Sequence, residues 1–102
     1  MDRIRENGKN VVVVERGNEI FFYSYTLLVA IVSNELFNDY IKLTDAWDYS
    51  QTTLKQLYCF LQNYSTLRDE NNNTIAYNLY NVPNKKQYIK DLIKRNKIQL
   101  IL

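Results

Sequence analysis

The sequence predicts an α+β fold: an antiparallel sheet of about four to six strands, a central helix packed on one face, and a second, basic helix near the C-terminus. Three observations predict it. β-branched and aromatic residues dominate Val11 to Ser33, the composition of strands. A capped amphipathic helix is written between Trp47 and Leu61. Lysines recur at helical spacing between Lys85 and Lys97. A chain of 102 residues with 46% apolar content supports one domain with its own core.

Taken in order, Met1 to Gly8 is polar and is expected to fray. Four valines, Val11 to Val14, favour a strand covered on both faces or lying at a sheet centre. Arg16-Gly17-Asn18 is a turn, with Gly and Asn available for positive φ. Glu19 to Tyr25 follows as the second arm of an antiparallel hairpin, Ile20 and Phe22 on one face, Phe21, Tyr23 and Tyr25 on the other. Thr26 to Ser33 is apolar throughout and suits a buried strand. Asn34 to Asp39 reads as a connection with Leu36 and Phe37 folded back, and Tyr40 to Leu43 as a short strand.

The central helix has the clearest text. Ser50 is placed to cap it by accepting from the Thr53 N–H. Tyr49 and Leu54 have the spacing of a hydrophobic staple. A competing register caps at Asp48 with Gln51 as the reciprocal partner. Leu54, Leu57, Tyr58, Leu61 and Tyr64 form one apolar stripe, widened by Phe60. Lys55, Gln56, Gln62 and Asn63 fall on the other side. The structural reading packs this helix on a sheet with Trp47 closing one end of the core. The functional reading makes Trp47, Thr52 and Thr53 part of a phosphate site at the helix N-terminus, although no Gly-rich loop precedes it.

Arg68 to Asn73 is a polar break with no evident reason for order. Thr74 to Tyr80 alternates weakly, with Ile75, Tyr77 and Leu79 on one face, which suggests an edge strand stopped by Pro83. Asn84 caps a second helix whose apolar face is Tyr88, Ile89, Leu92 and Ile93, ending near Asn96. Ile98 to Leu102 is a final strand or docked tail, expected to be buried.

Ser24-Tyr25-Thr26-Leu27-Leu28-Val29-Ala30, followed by Trp47-Asp48-Tyr49-Ser50-Gln51-Thr52-Thr53-Leu54-Lys55 and Phe60-Leu61, resembles a recurring text. It belongs to small uncharacterised proteins carried by phages and mobile elements of low-GC Gram-positive bacteria. Their pattern is a strand with Ser-Tyr, Thr and Val-Ala, then a helix beginning Tyr-Ser-x-Thr-Thr and ending Phe-Leu. The resemblance covers about Val11 to Tyr64. It implies a ββββα core at 9–64 and makes 67–102 an addition carrying the basic helix. That family often has His after the Lys, where this chain has Gln56. The implied role is a phage accessory protein, without an implied activity.

Composition narrows the chemistry. The chain has no His, which removes His-based acid–base catalysis, Ser-His nucleophile activation and most zinc sites. Its single Cys59 excludes an internal disulfide framework and suggests a reducing compartment. Cys59 lies off the apolar stripe; Lys55 one turn earlier is the feature that would activate it, against a passive half-buried role. Asp45 and Asp48 bracket Trp47, but helix capping already accounts for Asp48. No phosphate loop, dinucleotide fingerprint or kinase text occurs. No catalytic residue, cofactor or metal ligand is assigned, and the expectation is a binding protein rather than an enzyme. No apolar run reaches the roughly 20 residues of a membrane span, and Met1 to Asn10 does not read as a signal peptide, so no membrane partner and a host bacterial cytoplasm are expected.

Charge is unevenly placed. Residues 1–84 hold seven Lys/Arg and ten Asp/Glu, a net of −3, and residues 85–102 hold six Lys/Arg and one Asp, a net of +5. Lys86, Lys90, Lys94 and Lys97 are expected to line one helix face, with Lys85 and Arg95 beside them. These six are the expected partner-binding residues. One reading is a solvated face, a second is contact with a phosphate backbone or an acidic protein surface, and the third, a membrane-surface helix, is disfavoured because the apolar face is needed for the core. The resemblance and the missing catalytic groups together point to an inhibitor of a bacterial defence complex, anti-CRISPR in kind, bound to a host protein or ribonucleoprotein. The alternative is a small nucleic-acid-binding protein using the Lys86–Lys97 face.

Overall fold

β-branched residues and two-residue turns make consecutive strands pair with their neighbours, and the computed structural model, which describes residues 3–5, 10–35 and 38–101, shows that pattern through most of the sheet. The strands are β1 (Arg3–Arg5), β2 (Val11–Arg16), β3 (Glu19–Ser24), β4 (Leu27–Glu35), β5 (Asn38–Leu43) and β6 (Gln99–Leu100). They lie in the order β1-β2-β3-β4-β5-β6 in one six-stranded sheet. The first five pair antiparallel; β6 returns from the far end of the chain to pair parallel with β5. The α+β class and the antiparallel sheet expected from sequence are therefore found. Part of the stretch expected to fray, Arg3–Arg5, is instead an edge strand against Val13–Glu15. The expectations for the rest of Met1 to Gly8, and for Leu36, Phe37 and Leu102, lie outside the described residues.

The two hairpin turns differ in kind. Gly17 alone carries positive φ (60°) in the β2–β3 turn, as a glycine-first two-residue turn requires. In the β3–β4 turn both Tyr25 (51°) and Thr26 (69°) are left-handed. Asn or Gly normally fills such a turn, and a β-branched Thr there is strained. Tyr25 N–H donates to the Asn10 carbonyl at 2.9 Å, which ties the turn to the start of β2. Tyr25 and Thr26 thus leave the strands to which the alternation assigned them.

Three helices cover one face of the sheet: α1 (Gln51–Tyr64), α2 (Ile75–Asn81) and α3 (Lys85–Lys94). Ser50 caps α1, accepting from Thr53 N–H at 3.1 Å, so the Ser50 register holds and the Asp48 register does not. Leu57 and Leu61 are fully buried, and Phe60 stacks on Phe22 of β3 with ring centroids 5.1 Å apart. Trp47 closes the core as expected, at 6% exposure. The staple expected between Tyr49 and Leu54 does not bury Tyr49, which is 70% exposed.

Three corrections concern the C-terminal third. Thr74 to Tyr80 is not an edge strand but the cap and nearly the whole of α2, with the Thr74 hydroxyl accepting from Tyr77 N–H at 3.1 Å. Ile75 and Leu79 lie one turn apart and are both fully buried, so the i, i+4 pair outweighs the weak alternation. Arg68 to Asn73 is also ordered. The Asp69 carboxylate accepts from the N–H groups of Asn71 and Asn73 and from the Asn78 amide, at 2.8 to 3.0 Å. Those bonds, led by Asn78, hold the Asp69 carboxyl below its ordinary pKa. At the other end Ile98 is buried, whereas Leu100 is 46% exposed, against the expectation that the whole tail is covered.

Candidate functional site

Six cationic residues were expected to act together, and the structure divides them. Lys85 and Lys86 are the first two residues of α3. Asn84 caps that helix, its side chain accepting from Gln87 N–H at 3.0 Å. Pro83 fixes the approach. These residues face α1 across a groove of about 400 Å³, floored by Leu54, Tyr58 and Pro83 and walled by Lys55, Lys85 and Lys86. Burial pushes the Tyr58 phenol pKa up, so it remains a neutral hydroxyl in the groove at physiological pH.

Lys90 and Lys94 continue from Lys86 along the exposed side of α3. Arg95 and Lys97 depart from that stripe. Arg95 is the C-cap and approaches Glu70, at 3.9 Å. Asn96 turns the chain with φ 60°, and Lys97 falls beyond the helix, where its charge acts on Asp69. The expectation of one continuous face from Lys86 to Lys97 is therefore corrected: the helix ends before Lys97, and a left-handed residue re-aims it. The loop at Arg68–Asn73 already supplies acidic partners to this end of the cluster.

Lys55 is the residue that sequence reasoning placed elsewhere. Its position in the sequence puts it on the solvent side of α1, and only the approach of Pro83–Lys86 to that helix sets it on the same groove as Lys85 and Lys86. Among the described residues, none of the three makes an ion pair within 4.0 Å. Lys85 and Lys86 also occupy the first turn of a helix that has no acidic residue there. The positive end of the helix dipole disfavours cations at that position. The groove therefore gathers three cations that no described carboxylate pairs within 4.0 Å.

The other candidates lie apart from this groove. Thr53 is buried, bonded to the Ser50 hydroxyl at 3.1 Å and close to the Ser24 hydroxyl at 3.4 Å, so its side chain is committed to the cap. Ser24 also donates to Gln56 Oε1 at 2.7 Å, which joins β3 to α1. Thr52 is exposed. Asp45 and Asp48 are exposed on either side of buried Trp47, without a shared enclosure. Cys59 is exposed on α1. Among the described residues no cluster of His, Cys, Asp or Glu is placed to hold a metal ion, and no helix is long and apolar enough to cross a membrane.

No curated protein and no solved structure matches the chain. A family of unknown function, DUF8033, matches residues 3–76, which takes in β1 to β5, α1 and the start of α2. That span is wider at both ends than the Val11–Tyr64 core, and it stops before the basic helix. With nearly three quarters of its length matched, the chain belongs to the DUF8033 family.

Proposed function

We propose that the protein is a non-enzymatic binder that seats an anionic surface of a host macromolecule in the groove between α1 and α3. The observation that carries this is that Lys55, Lys85 and Lys86 line one groove with an apolar floor, and among the described residues none of the three is ion-paired. Two of these cations stand where they oppose their own helix dipole, a local cost that a bound anion would relieve. Tyr58 and Leu54 give the groove a surface for apolar groups of the same partner.

The kind of partner follows the resemblance to phage and mobile-element proteins: a host defence complex, inhibited in the manner of an anti-CRISPR protein in the bacterial cytoplasm. Such ribonucleoproteins combine protein surface with phosphate, and both suit a lysine groove. The alternative is direct binding of nucleic acid, with Lys90 and Lys94 extending the phosphate track from the groove.

The test is affinity capture from host lysate, with and without nuclease. It compares the parent with the triple substitution Lys55→Gln, Lys85→Gln, Lys86→Gln. A stoichiometric protein partner that survives nuclease and is lost in the triple variant supports inhibition of a complex. Recovery of nucleic acid alone, abolished by nuclease, favours the alternative. Equal capture by parent and triple variant rules out the groove as the site.

A further inference from the structure

A second hollow opens on the other flank of α1. Its floor is Val11 and Val13 of β2, Phe22 of β3 and Phe60 of α1, each no more than 5% exposed. Around it α1 places Lys55, Gln56, Cys59 and Asn63. Lys55, Cys59 and Asn63 follow one another at four-residue spacing, so they form one rim along the helix. The cavity measures about 370 Å³. That is within the roughly 300–1,000 Å³ of small-molecule sites, which are typically apolar with a few directed polar groups.

The polar groups at this rim are of one kind. Lys55 offers an ammonium. The Gln56 amide is oriented by Ser24, whose hydroxyl donates to Oε1 at 2.7 Å, and this leaves Nε2 as the outward donor. Asn63 adds a second amide, and no carboxylate is among the described residues that line the cavity. An apolar floor under a rim of donors suits a ligand with an apolar body and an acceptor-rich head. We propose that this cavity binds a small amphipathic anion, its aromatic or branched aliphatic body on Val11, Val13, Phe22 and Phe60 and its carboxylate or sulfonate on Lys55 and Gln56 Nε2. The site is separate from the α1–α3 groove and shares only Lys55 with it.

The probe is 1-anilinonaphthalene-8-sulfonate, which has a fused aromatic body and one sulfonate. The folded protein should bind it saturably, one to one. Cys59 is exposed, so Cys59→Phe leaves the core intact while placing a ring in the cavity mouth; it should abolish binding, and the small replacement Cys59→Ser should retain it. Lys55→Gln should weaken binding about fivefold, the scale of an exposed ion pair. Lys85→Gln with Lys86→Gln should leave the dye affinity unchanged, which separates this cavity from the groove. Without any substitution, saturating dye should slow alkylation of Cys59 by iodoacetamide. The proposal is overturned if no saturable binding occurs, if Cys59→Phe binds like the parent, if the Lys85/Lys86 pair is required, or if the dye leaves Cys59 alkylation unchanged.

Discussion

Leu57 and Ser50 test the central helix at the residue scale, one from the core and one from the cap. Leu57 is fully buried beneath the sheet, and Leu57→Ala should destabilise by about 2–5 kcal/mol in urea melts. Ser50→Ala removes the acceptor for Thr53 N–H and should cost about 1 kcal/mol. Tyr40 supplies a pH test. Its hydroxyl donates to Glu19 on the sheet face opposite the helices. Burial first, then the Glu19 hydrogen bond and its charge, push the phenol pKa up to about 12. The folded pKa lies above the unfolded value of about 10, so this contribution is fully present below pH 10 and is lost as pH rises toward 12. Tyr58 and Tyr88 shift the same way, so Tyr40→Phe should flatten only part of the alkaline decline. Urea midpoints for parent and variant at pH 9 and pH 11 give the comparison. An equal decline in both would remove Tyr40 from the account.

At the scale of elements, the proposed groove sets the charge at the start of α3 apart from the charge farther along the helix. Replacing Lys85 and Lys86 by Gln should leave folding unchanged or slightly improved, because two cations leave the positive end of the dipole. With Lys55→Gln added, partner affinity should fall by about tenfold or more at low salt, and by less at high salt where screening already weakens the parent. Lys90→Gln with Lys94→Gln should have a smaller effect. Titrations at two salt concentrations decide this, and equal losses from both sets would restore a single continuous face. The contrast also shows what the sequence could and could not reveal. β2 and β4 are legible from β-branched and apolar composition, β3 from its alternation around Phe22 and α1 from the three-and-four spacing around Leu57, and the Ser50 and Asn84 caps are written in single residues. α2 is not legible because Ile75 and Leu79 fit alternation as well as a helical turn, and only the Thr74 cap distinguishes the two. Lys55 could not be joined to Lys85 and Lys86 from sequence, since their proximity depends on how two helices pack.

At the scale of the whole molecule, the segment read as an addition is part of the core. Leu67, Ile75, Leu79, Ile89, Leu92 and Ile98 share one buried cluster with Phe22, Ile41 and Leu57. Ile98→Ala should therefore cost about 2–5 kcal/mol and lower one cooperative transition, a loss too large for a peripheral tail. A separate early transition, with β1 to α1 unaffected, would show the segment to be independent. The strand order has one further consequence. The four pairings from β1–β2 to β4–β5 each join strands adjacent in sequence, so those contacts close short loops and have low contact order. The β5–β6 pair joins Lys42 to Gln99 and Leu43 to Leu100, and Ile101 N–H reaches the Leu43 carbonyl at 2.7 Å. Closing that long loop is entropically the most demanding pairing in the sheet. The meander should zip first and β6 dock last, so amide hydrogen exchange should open at Ile101 well before it opens along β3 and β4.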